Sequence, residues 1–157
     1  MLFVAGGVGA APVYPQVKWL HEHGIEADVI VGSKTKDMLI LEDEMKAVAG
    51  NYYPCTDDGS YGHAGMVTTK IEQLVKEEGK KYDVCVAIGP MIMMKFVCLL
   101  TKKLEIPTIV SMNPIMVDGT GMCGKVMGRP EDCMNVLALK KMVCVKTIIR
   151  TLQKMRF

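Results

Sequence analysis

Apolar runs and stretches with helical periodicity alternate along the first 112 residues of the chain. Short apolar runs predict five strands, at residues 2–5, 27–31, 51–55, 82–88 and 107–112. The stretches between them have the apolar spacing of helices, at residues 11–23, 36–49, 66–78 and 91–104. Regular alternation of strands and helices is typical of a parallel sheet covered on both faces. We therefore expect an α/β fold, a three-layer αβα domain with a five-stranded parallel sheet.

A glycine-rich turn joins the first predicted strand to the first predicted helix. It runs from Gly6 through Ala10 to Pro12 and contains the pattern Gly7-x-Gly9-x-x-Pro12. Glycines let a backbone approach a pyrophosphate, and the helix N-terminus that follows offers free N–H groups. The usual third glycine is replaced by Pro12. The turn predicts a dinucleotide site, although taken alone it fits a turn without a ligand equally well. If it binds pyrophosphate, Gly9→Val should abolish binding with little effect on folding.

The second predicted strand ends without the acidic residue that usually holds the ribose hydroxyls. Ser33 and Lys34 stand there instead, and Asp28 lies at the start of the strand, where we interpret it as a solvated residue. Ser33 and Lys34 are candidates for contact with the adenosine ribose or a 2′-phosphate. An exposed loop with a lysine in water is an equally good interpretation.

Two further loops follow predicted strands at the same edge. Gly89 and Pro90 end the fourth strand, and the turn at residues 56–65 follows the third. Gly89 and Pro90 are candidate ligand contacts, whereas Met93 and Met94 are interpreted mainly as core filler. His63 is expected to be a solvated side chain in its glycine-rich loop.

Composition limits the class of protein. A chain of 157 residues, half of them hydrophobic, is long enough for one compact domain. No apolar stretch has the length of a membrane span, and the first residues lack a secretory signal. We expect a cytoplasmic protein with reduced cysteines, among them Cys85 and Cys98, and neither membrane nor nucleic acid as a partner.

The charge balance changes near residue 124. Residues 1–123 carry 11 basic and 15 acidic side chains, whereas residues 124–157 carry 8 basic and 2 acidic ones. We expect the first range to be the nucleotide-binding domain and the second to be a basic C-terminal segment. The apolar spacing of residues 136–152 permits a docked amphipathic helix, and partial disorder is the other interpretation.

Four glycine-rich segments together carry a resemblance to a known family. They are Ala5-Gly6-Gly7-Val8-Gly9-Ala10-Ala11-Pro12, residues 56–65, Gly89-Pro90-Met91-Ile92-Met93-Met94, and Met116-Val117-Asp118-Gly119-Thr120-Gly121-Met122-Cys123-Gly124. In this order they resemble the nucleotide-binding half of the ferredoxin–NADP reductase family. Within it, the chain is similar to electron-transfer subunits of dihydroorotate dehydrogenase, sulfide dehydrogenase, NADP-dependent ferredoxin oxidoreductase and cytosolic hydrogenase.

The resemblance implies a ferredoxin reductase-like domain that binds NAD or NADP beside a flavin-binding barrel. It assigns Gly7, Gly9 and Pro12, with Gly6 and Ala10 of the same turn, to the pyrophosphate and nicotinamide. The assignments at the other loops are Ser33 and Lys34 at the adenosine end, Asp58 and Gly59 beside the cofactor, and Gly89, Pro90 and Met91 near the nicotinamide. Ile88 stands where many family members have a cysteine.

The resemblance also implies a two-iron, two-sulfur cluster in the complete protein. A plant-type cluster loop has the spacing C-x4-C-x2-C. Asp118-x4-Cys123-x2-Val126 fits this frame, but Val126 cannot bind iron. We interpret Asp118 and Cys123 as a remnant metal site that we expect to be unoccupied, and the basic segment as a replacement of the cluster region.

The function implied by the resemblance is to hold a nicotinamide for hydride exchange with a flavin on an N-terminal domain outside this chain. The implied partners are that flavin-binding domain of the full-length subunit and the catalytic subunit of a larger oxidoreductase complex. FAD and the cluster are not expected in this chain, and little turnover is expected from it alone. The alternative is a non-catalytic nucleotide-binding or assembly module.

Overall fold

The computed structural model describes residues 1–111. Its strands are β1 (Leu2–Gly6), β2 (Asp28–Ser33), β3 (Asn51–Thr56), β4 (His63–Ala64), β5 (Cys85–Ile88) and β6 (Thr108–Ser111). Its α-helices are α1 (Ala10–Glu22), α2 (Glu42–Val48), α3 (Val67–Lys76) and α4 (Met91–Lys103), and short 3₁₀ turns lie at Gly7–Gly9 and Lys36–Met38. The expected domain boundary at residue 123 and the whole basic segment lie outside the described residues.

The described strands form one sheet in the order β4-β3-β2-β1-β5-β6. Parallel pairing joins β1 to β2, β1 to β5, β2 to β3 and β3 to β4. The predicted α/β class and parallel sheet are confirmed. The expected count of five strands is too low, because the turn after β3 contributes the short edge strand β4 beside Cys55 and Thr56.

The strand order explains how the helices cover the sheet. From β1 to β4 the chain moves in one direction along the sheet, and it then returns past β1 to β5. Because crossover connections are right-handed, this reversal moves the later helices to the opposite face. Accordingly α1 packs with α2, and α3 packs with α4. Two helix layers thus enclose the sheet.

The core lies on both faces of β1 and its neighbours. Leu2, Phe3, Val4 and Ala5 have no exposed surface, and the strand on each side of β1 is also buried. A strand without polar alternation is the form expected at the centre of a doubly covered sheet. The buried cysteines Cys55, Cys85 and Cys98 are free thiols.

The predicted helix at residues 36–49 is wrong in its first half. The backbone breaks at Leu41, which has a φ of 56°, so that only Glu42–Val48 is α-helical. A residue with a Cβ rarely adopts this left-handed backbone conformation, and a residue in this conformation cannot continue a right-handed helix. In the described part of the chain no helix is both long and apolar enough to cross a membrane.

Asp28 is not the solvated residue that its position suggested. Its carboxylate accepts hydrogen bonds from Lys80 Nζ (2.8 Å), Tyr82 Oη (2.7 Å) and Asn51 Nδ2 (2.7 Å). Burial pulls the pKa of this carboxyl upward, but the three donors outweigh burial and leave the pKa below its usual value. The network ties the starts of β2 and β3 to the segment before β5.

Candidate functional site

A cavity of about 530 Å³ lies at the carboxyl-terminal edge of the sheet. Its walls come from the ends of β1 and β2, the residue after β3, and the starts of α3 and α4. The lining residues are Gly6, Gly7, Gly32, Ser33, Lys34, Met38, Asp57, Gly65, Met66, Val67, Thr68, Pro90, Ile92, Met93 and Phe96. In open α/β sheets, ligands bind at this edge where the strand order reverses, and here the reversal lies between β1 and β5.

Glycines allow the ends of β1 and β5 to meet at the floor of the cavity. A Cβ on Gly89 would lie 2.9 Å from the backbone nitrogen and Cα of Gly6. A Cβ on Gly9 would lie 2.2 Å from the carbonyl oxygen of Ile88. Real Cβ atoms do not approach backbone so closely, so these positions exclude side chains. Gly9 therefore supplies the close helix-to-strand packing that the third glycine of the common fingerprint usually provides.

Gly7 differs from Gly9 because its surroundings are open. It has a φ of +53°, it lines the cavity, and an added Cβ would meet no atom within 4 Å. The turn Gly7–Gly9 leads directly into α1. The N–H of Ala10 is bonded to the carbonyls of Gly7 and Val8, and Pro12 has no N–H, so this helix start would attract an anion mainly through its dipole. Open space beside a helix N-terminus can accommodate a phosphate group.

The remaining predicted residues of this turn lie elsewhere. Ala10 has no exposed surface and packs in the core. Pro12 is an exposed residue in the first turn of α1, and its carbonyl accepts a hydrogen bond from Gln16 Nε2 at 2.8 Å. Gly9, Ala10 and Pro12 are all absent from the cavity lining. The structure thus brings Gly6 and Gly7 to the cavity and uses the other three residues to build the helix behind it.

At the end of β2, Ser33 and Lys34 line the cavity in different ways. Ser33 is only 9% exposed, and its Oγ donates a hydrogen bond to the Thr35 carbonyl at 2.7 Å. Lys34 is exposed at the cavity wall. Gly32 also lines the wall, and a Cβ there would lie 2.5 Å from Val67 Cγ1, so this position packs closely against α3.

In the loop after β3, Asp57 lines the cavity and Asp58 does not. Asp58 Oδ1 accepts hydrogen bonds from Ser60 Oγ (2.7 Å) and Ser60 N (3.0 Å), which hold the pKa of Asp58 below its usual value. Gly59, with a φ of +71°, is part of the same turn and also lies outside the lining. Asp58 and Gly59 therefore shape the loop that carries Asp57.

Tyr61 anchors this loop to α2. Its hydroxyl donates a hydrogen bond to Glu42 Oε1 at 2.6 Å, and its backbone N–H donates to Thr56 Oγ1 at 3.0 Å. Lys46 bridges to the same Glu42 carboxylate at 2.6 Å. His63, on β4, lies outside the cavity lining.

The start of α4 forms the opposite wall. Pro90 lies just before the helix, and Ile92, Met93 and Phe96 line the cavity beside it. Gly89 lies behind the wall against Gly6, and Met91 is half exposed but not part of the lining. The interpretation of Met94 as core is confirmed, since it is 4% exposed, whereas Met93 faces the cavity.

Sequence reasoning missed Gly32 and Asp57 as well as the lining residues at the start of α3, in α4 and in the second 3₁₀ turn. Gly65 directly precedes a predicted helix, as the glycines of the first turn do, and this position could have indicated a ligand loop. Met66, Val67 and Thr68, which follow it, line the cavity wall. Met38, Ile92 and Phe96 carry no local signal. No group of metal-ligating side chains occurs within residues 1–111. Asp118 and Cys123 lie outside the described residues.

Comparison with known proteins agrees with this geometry. Residues 3–99 match the model of the oxidoreductase NAD-binding domain family. An uncharacterized protein in the adh 3′ region of Clostridium beijerinckii is 65% identical over 123 residues, which cover 78% of this chain and 42% of that protein. The Thermotoga maritima homologue of the dihydroorotate dehydrogenase B (NAD(+)) electron transfer subunit is 48% identical over 124 residues, 79% of this chain and 43% of that protein.

Among solved structures, that of an NADH-dependent reduced ferredoxin-NADP oxidoreductase is similar, with a TM-score of 0.66 and 47% identity. The match covers 79% of this chain and 44% of that one. The chain thus spans less than half the length of these relatives. Because the family match extends from β1 into α4 and includes the glycine turn and both cavity walls, the chain belongs to the oxidoreductase NAD-binding domain family.

Proposed function

We propose that this chain is the NAD(P)H-binding part of an electron-transfer subunit, and that it holds the nicotinamide for hydride exchange with a flavin on another domain. The observation that carries this proposal is the cavity at the switch point between β1 and β5, with Gly6 and Gly7 on its floor. Its volume of about 530 Å³ lies within the usual range for cofactor sites. The relatives named as electron transfer subunits support the same assignment.

The described residues fit a dinucleotide by its chemistry. The pyrophosphate would lie beside Gly7, where a side chain would take up the space it needs and where the positive end of the α1 dipole is close in sequence. The apolar wall formed by Met93, Ile92 and Phe96 suits a flat, weakly polar ring. Ser33, Lys34 and Asp57 offer polar groups at the ribose end.

The reaction that we propose depends on a partner domain. A flavin, when bound, supplies the hydride acceptor or donor, and the protein supplies orientation. Within residues 1–111, Val8 is 80% exposed, and Ile92, which lines the cavity, is 68% exposed; exposed apolar side chains of this kind fit coverage by another protein domain.

The finer details remain part of the proposal. NAD or NADP is the cofactor held by this chain, and FAD and a two-iron, two-sulfur cluster belong to the complete protein. The partners are the flavin-binding domain and a catalytic subunit of a larger oxidoreductase. We place the boundary of the nucleotide-binding domain at residue 123, ahead of the basic segment 124–157. A cytoplasmic location fits the free thiols of Cys55, Cys85 and Cys98.

Calorimetric titration of the full chain with NADH, NADPH and FAD, each alone, tests this proposal. At least one dinucleotide should bind with one site per chain, and FAD should not remain bound through gel filtration. If neither dinucleotide binds, or if the purified protein is yellow with stoichiometric flavin, the proposal is wrong.

A chimera separates hydride positioning from simple nucleotide binding. In the NADH-dependent reduced ferredoxin-NADP oxidoreductase, whose solved structure is described in terms of flavin-based electron bifurcation, the matching segment is replaced by this chain, and NADH is added without oxygen. Bleaching of the visible flavin absorption supports positioning of the nicotinamide. A chimera that binds NADH but leaves its flavin oxidised favours the alternative, a non-catalytic nucleotide-binding or assembly module.

A further inference from the structure

Two residues of opposite charge, Lys34 and Asp57, occupy neighbouring backbone positions in the cavity lining. The hydrogen-bonded ladder between β2 and β3 continues beyond both strands, with Asp57 N donating to Ser33 O at 3.1 Å and Asp58 N donating to Lys34 O at 3.3 Å. Asp57 is thereby placed beside the Ser33–Lys34 segment. Among the described lining residues, Asp57 is the only carboxylate and Lys34 the only cation.

Two polar side chains close to Lys34 in sequence are engaged elsewhere. Ser33 Oγ donates its proton to the Thr35 carbonyl at 2.7 Å, so this hydroxyl keeps acceptor capacity but no free donor. Lys36 lies outside the lining, with its ammonium 5.0 Å from the centre of the Tyr61 ring. A 2′-phosphate in this part of the cavity would therefore meet Lys34 together with the negative charge of Asp57.

We infer that Asp57 accepts hydrogen bonds from the adenosine ribose hydroxyls and that this chain therefore selects NADH over NADPH. The inference rests on the proposed function and specifies its substrate. A carboxylate is an acceptor only, so it matches the donor hydroxyls of an unmodified ribose and repels a 2′-phosphate. In the usual dinucleotide fold an acidic residue at the end of the second strand has this role. Here the acidic residue would be Asp57, which directly follows the neighbouring strand β3.

The test compares two adjacent aspartates. The full chain and the variants Asp57→Asn and Asp58→Asn are titrated with NADH and with NADPH at one ionic strength. Both substitutions remove the same charge from the same loop, but only Asp57 lines the cavity. Hydrogen bonds to charged groups are strong enough that the parent should bind NADH about ten-fold more tightly than NADPH.

Asp57→Asn should lower the ratio of NADH to NADPH affinity by about ten-fold, and Asp58→Asn should leave it unchanged. A second titration with 5′-AMP and adenosine 2′,5′-bisphosphate should show the same change, because these probes differ only at the ribose. If both dinucleotides bind but Asp57→Asn keeps the parental ratio, or if Asp58→Asn changes it equally, the inference is wrong while the proposed function stands. If neither dinucleotide binds, both are wrong.

Discussion

Gly9 lies against Ile88 so closely that a Cβ on Gly9 would stand 2.2 Å from the Ile88 carbonyl oxygen. Gly9 itself has an ordinary helical backbone, with a φ of −59° and a ψ of −15°. Its lack of a side chain is therefore required by its neighbour and not by its own conformation. This contact joins the start of α1 to the end of β5.

Replacement of Gly9 by alanine should destabilise the fold. Alanine at a helical φ and ψ normally stabilises a protein slightly, so any loss comes from the clash with Ile88. We expect a loss of about 2 kcal/mol or more in the free energy of unfolding, measured by urea denaturation. The expectation that Gly9→Val spares folding is accordingly wrong. An alanine variant as stable as the parent would contradict the close contact.

Gly7 is the better position for blocking the nucleotide. Asparagine tolerates a positive φ, and at Gly7 its side chain would enter the open space of the cavity. Gly7→Asn should weaken NADH binding at least about ten-fold, the equivalent of about 1.4 kcal/mol.

The matched control for this prediction is Gly24→Asn. Gly24 has a φ of +74°, an added Cβ there also meets no atom within 4 Å, and it lies outside the cavity lining. Thermal unfolding should show similar small shifts for the two variants, while calorimetry should show weakened binding only for Gly7→Asn. Equal NADH affinity in Gly7→Asn and parent would remove Gly7 from the site.

The Asp28 network should make stability depend on pH at the acidic end. Because the folded pKa of Asp28 lies below its unfolded value, its contribution is complete above the unfolded pKa of about 3.9 and is lost as the pH falls through the folded pKa. At pH 7, Asp28→Asn should cost about 2 kcal/mol, because it removes a charged acceptor from Lys80.

Urea denaturation at a series of pH values measures this effect. The difference in stability between parent and Asp28→Asn should shrink below about pH 4. The control is Asp83→Asn, at an exposed residue near the same edge of the sheet, which should change stability little. A difference for Asp28→Asn that stays constant down to the lowest pH would mean that the carboxylate charge has no role.

Iron–sulfur reconstitution tests the interpretation of residues 118–126. Four ligands must converge on a cluster, and Val126 occupies the third position of the expected loop. After anaerobic incubation with iron and sulfide and removal of excess reagents, the chain should retain no stoichiometric iron and no reducible visible chromophore. About two irons per chain would show that the basic segment supplies ligands, with Cys133 and Cys144 as the first candidates.

The sequence predicts the alternation of strands and helices well because burial on both faces leaves long apolar runs such as Cys85–Ile88. It does not predict β4, since His63–Ala64 is a strand only through its pairing with Cys55 and Thr56. The break at Leu41 is not marked by a glycine or proline at that position.

The candidate site is predictable where a backbone requirement fixes the residue type. Gly6 and Gly7 stand out because the turn needs glycine, and Pro90 because it ends a strand. Whether Asp57 or Asp58 lines the cavity depends on the register between β2 and β3, and the spacing of residues along the chain does not reveal this register. Phe96 reaches the cavity only through the orientation of α4 on the sheet.

The position of β1 at the centre of the sheet has a consequence for how the chain folds as it is synthesised. β1 can pair with β2 soon after both have left the ribosome, but Leu2 also pairs with Cys85, which emerges much later. Until then the other edge of β1 is an unpaired row of backbone groups on an apolar strand, which is a template for aggregation. Ribosome-bound chains that stop after α3 should therefore depend on chaperones, and that dependence should end once β5 is exposed.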